Sequence, residues 1–232
     1  MIRIGPAGWS YKDWEGVVYP KGRKTDQLTY LTQFFTTIEI NNSFYRPIAP
    51  KVAEGWVRRA GTNPDFRFTA KLLQDFTHSR DKLTKAAVQE WTDGVRPILE
   101  AGRLGVALIQ FPWSFKNEQD ERDYLVRLVE AFSSLPLVVE FRHASWDQDA
   151  VRDFLRGMKV GICNIDQPIF GRSIRPRSYA TSTIGYFRCH GRNYKDWFRE
   201  EAGRDARYNY LYSEEEVEEQ SGLVVDLEQQ TE

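Results

Sequence analysis

Glu140, Arg142 and His143 form the densest run of ionisable side chains beside an apolar segment, VEFRHASW at 139–146. Alternate residues of a strand share a face, so Glu140 and Arg142 point one way and Phe141 the other. A carboxylate beside a guanidinium is held as the anion. That suits a nucleophile, an orienting group or a hydrogen-bond acceptor, and suits a general acid poorly. His143, at the strand end, is the type of residue that moves protons near neutrality. Glu39 and Asn41 repeat the spacing of Glu140 and Arg142, followed by Asn42, Ser43 and Tyr45, whose neutral groups fit the oxygens of a sugar, base or phosphate. Arg188, His190 and Arg192 alternate in the same manner, with Gly191 allowing close backbone approach. Lys71, Gln110 and Asp166 each end an apolar run, and Trp9 lies beside another. Each has a plainer reading: a structural ion pair at 140 and 142, a capping histidine at 143, Asx turns at 41–43, scattered surface arginines at 188 and 192.

These residues need elements that bring them together. Apolar β-rich runs alternate with helical periodicity along the whole chain. The spacing predicts strands at 2–7, 37–40, 66–71, 104–111, 137–141, 160–165 and 185–189. Helices are predicted at 28–35, 50–60, 81–101, 118–132, 147–158 and 213–220, with Pro97 placed to bend the third, and a long loop at 166–182. Seven strands without hairpin signals imply parallel pairing through crossover helices. Polar residues collect where the strands end, as they do at the rim of a barrel, which favours a (β/α)8 TIM-barrel-like α/β fold over an open sheet. The glycine fingerprint of a dinucleotide-binding sheet is absent.

Composition narrows the functional classes. The 232 residues are 41% apolar and 14% aromatic, enough for a core that needs neither disulfide nor metal. With 32 basic and 33 acidic residues the net charge is −1, which argues against a uniformly basic nucleic-acid coat. Charge is nevertheless segregated. Residues 171–207 hold nine basic and four acidic positions, whereas 213–232 hold eight acidic and no basic ones. Two cysteines, Cys163 and Cys189, exclude a disulfide framework, are expected to be buried small apolar residues, and point to a reducing cytoplasm. Neither a membrane-spanning apolar run nor a secretory leader is expected.

The motifs GWSYKDW (8–14), EINNSFYRP (39–47), FRFTAK (66–71), GVALIQFP (105–112), VEFRHASW (139–146), CHGR (189–192) and YNYLYSEEE (208–216) together resemble the DUF72 or YecE-like family. The likeness runs over residues 1–220 and implies a TIM-barrel-like fold; the family's activity is not established. Residues 221–232 depart from the family pattern of a final apolar strand ending in paired asparagines. An atypical C-terminal tail is expected there, with a short closing strand at 223–226 or none. The eighth strand is thus expected to be atypical or missing.

The residues point to an acid–base or hydrolytic enzyme acting on an anionic substrate that is phosphate-containing, sugar-like or nucleotide-like. In this reading Glu39 and Glu140 are the working carboxylates and His143 or His190 the proton carrier. Lys71 pairs with a carboxylate or serves as a base. Arg188 with Arg192 clamps the anion, while Trp9, Asn41, Tyr45, Gln110, Arg142 and Asp166 contact substrate. No cofactor is expected, and a divalent metal is disfavoured because Arg142, Arg188 and Lys71 would repel it. The expected partner is a small anionic molecule, with nucleic acid possible but not favoured, no membrane, and an oligomer only where a second copy completes the barrel. Two alternatives stand beside the enzyme: a non-catalytic nucleotide- or RNA-binding module, and an inactive interaction protein.

Overall fold

A computed structural model describes residues 1–22, 25–197, 199, 201 and 206–231. Six strands form in the order β1 (Thr37–Ile40), β2 (Arg67–Lys71), β3 (Leu104–Gln110), β4 (Leu137–Glu140), β5 (Gly161–Asp166) and β6 (Tyr186–Cys189). Sheet order equals chain order, β1-β2-β3-β4-β5-β6. The paired strands run parallel: β1 with β2, β2 with β3, β4 with β5 and β5 with β6. Between β3 and β4 the amide of Ala107 donates to Pro136 O at 2.8 Å and that of Phe111 to Glu140 O at 3.0 Å. Helices occupy the connections: α1 (Gln27–Leu31), α2 (Pro50–Arg59), α3 (Lys85–Glu100), α4 (Gln119–Ala131) and α5 (Asp149–Gly157), with α6 (Glu214–Gln229) after β6. Parallel strands in sequential order with helical crossovers make this an incomplete TIM-barrel-like α/β fold.

The chain divides into two compact units, residues 1–109 with 130–137, and residues 110–129 with 138–232. In the first, α1 starts at Asp26, whose side chain accepts the Thr29 amide, and α2 starts on Pro50, whose missing N–H costs nothing in a first turn. Trp56 of α2 and Trp91, Val95 and Ile98 of α3 are buried. Pro97 lies in the last turn of α3 and does not interrupt it.

The expected first strand at 2–7 is reduced to one bridge, Ala7 to Glu39. Other links include hydrogen bonds from the Thr36 amide to Ile4 O at 3.2 Å and from the Glu39 amide to Pro6 O at 3.0 Å. Pro6 has no N–H to return a ladder bond. Gly5 comes so close that an added Cβ would lie 1.7 Å from Thr37 O.

In the second unit the outer side of the strand ends is fixed by four aromatic rings lying nearly parallel. Phe111 stacks on Phe115 at 3.7 Å and Phe141 on Trp146 at 4.1 Å, both with 3° between planes. Phe115 and Trp146 are 5.3 Å apart at 6°. Trp146 Nε1 donates to Phe115 O at 2.9 Å, satisfying its buried N–H. Phe111 follows Gln110, and Phe141 separates Glu140 from Arg142, so packing of the aromatics outward turns the polar neighbours the other way.

Of the two expectations for 223–226, a short closing strand or none, the structure takes the second. Those residues are helical, because α6 runs from 214 to 229. Ser213 and Glu216 form a reciprocal capping box, and three glutamates in the first turn complement the helix dipole. Gln220 and Leu227 share the buried side, and Leu227 lies against Gly185, where an added Cβ would meet Leu227 Cγ at 2.8 Å. Glu232, at the end of that tail, lies outside the described residues.

Candidate functional site

Both alternating pairs seen in the second unit's sequence meet on one carboxylate. Glu140 closes β4 and is fully buried. Arg142 Nη2 lies 2.7 Å from its Oε1. Arg188, in β6, directs Nη1 onto Oε2. His190 Nε2 is 3.3 Å from Oε1. Around this core Gln110 Oε1 accepts from Arg188 Nη1 at 3.1 Å, and Gln167 Oε1 from Arg142 Nη1 at 3.2 Å. The guanidinium groups are not sealed off: the Arg142 and Arg188 side chains are 14% and 11% exposed.

Burial alone would raise the Glu140 carboxyl, but Arg188, Arg142 and His190 overcome it and hold the group well below its usual range. His190 moves the other way. Burial and the charges of Arg142 and Arg188 push its imidazole down to about 3, against the opposing pull of Glu140. The ring is therefore neutral at ordinary pH. Its Nε2 faces Arg142 Nη2 at 3.2 Å and Arg188 Nη1 at 3.4 Å as well as Glu140 Oε1. Two guanidinium groups thus face one buried carboxylate and a neutral ring.

This arrangement makes the protein acid-sensitive. Unfolded chain protonates His190 near its ordinary 6.5, the folded chain only near 3. Between those values the unfolded state binds more protons, so stability falls as pH falls, by up to about 1.4 kcal/mol per pH unit. Glu140 adds to the same loss once pH drops below 4.5. Urea unfolding at pH 7, 5.5 and 4 is expected to show this slope in the parent and a shallower one in His190→Asn. Equal slopes would assign the acid sensitivity elsewhere.

Arg192 does not join the positive cluster. Gly191, at φ +82°, turns the chain after His190. Arg192 then grips Asp166 through Nε at 2.9 and 3.1 Å and Nη2 at 2.8 Å. It also reaches Glu216 at 3.2 Å and Glu219 at 2.9 Å on α6. Tyr212 donates to Asp166 Oδ2 at 2.7 Å and Gln220 Nε2 to the same oxygen at 3.2 Å. The Arg192 guanidinium is thus committed to three carboxylates, and the group ties α6 to the ends of β5 and β6. Cys163 is buried, with Sγ 3.9 Å from Glu140 Oε2. Cys189, the last residue of β6, is exposed, contrary to the burial expected for both, although its Sγ lies 3.2 Å from Gln220 Oε1.

His143 is buried, but its ring serves a turn. Nδ1 accepts the Ser145 amide at 3.1 Å and lies 2.8 Å from Ser145 Oγ, capping the short turn at 144–146. Trp113 meets the ring edge-on at 4.9 Å. Burial, then Lys116 and Arg172, lower the His143 pKa.

The first unit carries its own polar group. Glu39, buried in β1, faces Lys71 of β2 with Nζ to Oε1 at 3.6 Å. Lys71 Nζ also lies 5.5 Å from the Phe44 ring centroid. Asn41 Nδ2 donates to Ala7 O at 2.9 Å. Ser43 Oγ donates to Ile40 O and accepts the Lys71 amide, so the polar run after β1 works in part as turn chemistry. Trp9 packs edge-on against Trp56 at 5.3 Å, and Tyr45 is exposed.

The family described as protein of unknown function DUF72 matches residues 3–232. The chain belongs to the DUF72 family. A curated relative, UPF0759 protein YunF of Bacillus subtilis (strain 168), is 28% identical over 246 residues, spanning 99% of this chain and 85% of its own. The crystal structure of a DUF72 family protein from Thermotoga maritima MSB8 is similar at a TM-score of 0.87 and 34% identity, covering 100% of this chain and 89% of that one. A second DUF72 structure, from Enterococcus faecalis V583, shares the fold at a TM-score of 0.87 with 22% identity, over 100% and 86% of the two chains. Among the described residues of this DUF72 chain, no helix is long and apolar enough to cross a membrane.

Sequence reasoning missed Gln167, Trp197 and Tyr208. Gln167 lies one residue past a strand end and could have been found by extending the alternation test. Trp197 and Tyr208 sit in an irregular stretch without periodicity. Only the aromatic-rich composition of 194–212 marked it.

Proposed function

We propose that this DUF72 protein is an enzyme that holds a small phosphate- or carboxylate-bearing substrate between Arg142 and Arg188, beyond the C-terminal ends of β4 and β6. The observation that carries the reading is the pair of partly exposed arginine side chains that converge on one buried carboxylate. Arginine forks match the geometry of both anions. In this role Glu140 is a fixed counter-anion that orients the two arginines, and Gln110 and Gln167 brace them from the sides.

An incoming anion also changes the proton chemistry. Its negative charge opposes the guanidinium field at His190, so the imidazole pKa rises toward its ordinary range when substrate is bound. Proton transfer by His190 then becomes available with the substrate in place, which is the setting a general acid or base needs. Glu140 is a poor proton donor throughout, because its carboxyl is held ionised.

Isothermal titration with inorganic phosphate tests the binding step. Arg188→Met and Arg142→Met are each expected to weaken phosphate by roughly 10- to 150-fold, the value of a charge-assisted hydrogen bond of about 1.5–3 kcal/mol. Arg192→Met, although it loosens α6, leaves the arginine pair present. Unchanged phosphate affinity in both Arg142 and Arg188 variants would reject the reading. The second reading, a binding module without turnover, draws support from the unliganded state, in which neither Glu140 nor His190 is set to exchange a proton near neutrality. A turnover screen over phosphate esters separates the two.

A further inference from the structure

The loop between β6 and α6 brings two large rings to the arginine cluster. Trp197 and Tyr208 approach the His190 ring with centroids 6.4 and 6.3 Å away. They lie 6.2 Å from each other at 81°. Arg142 Cζ is 6.0 Å from the Trp197 ring centroid. Tyr208 is 48% exposed and Trp197 half-buried. These rings are not packed as the core of the same unit is packed, where Phe111 and Phe115 stack at 3.7 Å and are fully buried. Among the described residues no ring stacks face to face on Trp197 or Tyr208.

Several polar groups of the same loop are hydrogen-bonded. Asn193 Nδ2 donates to Ala206 O at 2.9 Å and Asn209 O at 3.2 Å. Tyr212 OH donates to Asp166 and accepts the Gly191 amide at 2.7 Å, and Tyr210 OH donates to Glu216 at 2.7 Å. Two aromatic rings set beside the arginine pair suit a flat ring on the ligand.

We propose that Trp197 and Tyr208 stack on a planar aromatic group of the ligand whose acidic group Arg142 and Arg188 hold. The substrate class is then an aryl- or nucleobase-bearing phosphate or carboxylate. This inference rests on the anion-site reading above and adds the ring. Stacking of a base or aryl group on such side chains strengthens binding by roughly tenfold or more.

Titration with inorganic phosphate, ribose phosphate, phenyl phosphate and AMP tests it. Phenyl phosphate and AMP are expected to bind at least about tenfold more tightly than the two ringless anions. In Trp197→Ala, and in Trp197→Leu should the first variant fold poorly, that ratio is expected to fall toward one, with Tyr208→Ala lowering it as well. A ratio near one in the parent protein, or a ratio unchanged in both Trp197 and Tyr208 variants, overturns the inference. Binding of ribose phosphate as tight as that of AMP also overturns it, in favour of a sugar-reading surface. Phosphate binding that depends on Arg188 but shows no ring preference removes this inference alone. No binding by any of the four removes the anion site with it.

Discussion

Glu140→Gln is expected to lower the unfolding free energy by about 3–5 kcal/mol, the usual cost of breaking a buried ion pair from one side. The substitution keeps shape and volume but leaves Arg142 and Arg188 facing each other across a neutral amide, with His190 unable to compensate. Each kcal/mol moves the midpoint by roughly 2–4 °C in a protein of this size, so thermal unfolding should show a drop on the order of 10 °C. Phosphate should restore part of that loss, because an anion seated between the arginines replaces the missing charge. At a hundred times its dissociation constant the recovery is about 2.7 kcal/mol. The parent protein, which already holds its carboxylate, should gain less from the same phosphate. A Glu140→Gln protein as stable as the parent in phosphate-free buffer would mean that the carboxylate is not the counter-ion of the pair.

The other large effect is expected from Asp166. Its two oxygens receive Arg192, Tyr212 and Gln220, and the side chain is almost wholly buried. Tyr212 feels the same carboxylate: burial and then the hydrogen bond to Asp166 raise its phenol. Asp166→Ala leaves a guanidinium, a hydroxyl and an amide without their shared acceptor, at a cost of about 3 kcal/mol or more. The damage should be local before it is global, since α6 reaches the strand ends largely through this residue. Hydrogen exchange over 214–229 is expected to accelerate well beyond exchange in β5. Uniform acceleration throughout the second unit, or none in α6, would contradict the latch. Asp166→Asn, which retains one carbonyl oxygen, should fall between the parent and the alanine variant.

The parts of this site that were legible in the sequence share one cause, the period of the strand. Because Glu140 and Arg142, like Arg188 and His190, are two residues apart at strand ends, their convergence could be read before any coordinates. The same rule went astray at Arg192. The strand ends at Cys189 and Gly191 turns the chain, so Arg192 is captured by Asp166 of β5 and by Glu216 and Glu219 of α6, each over twenty positions away. His143 shows the opposite failure. It was grouped with Glu140 by spacing, yet it begins a turn, and the Ser145 amide claims its ring. Apolar run length misled at 223–226, where a short run is ambiguous between strand and buried helix face. The capping box at Ser213 and Glu216 and the buried spacing of Gln220 and Leu227 decide for helix. Trp197 and Tyr208 were illegible because an irregular loop has no period to read.

A crystal structure of the protein grown with a phosphate ester is the shortest route to a decision. The anion is predicted to lie within hydrogen-bonding distance of guanidinium nitrogens from both Arg142 and Arg188, with Glu140 still seated behind them. Density for the ester at any other place, with those two side chains touching only protein, would contradict the site.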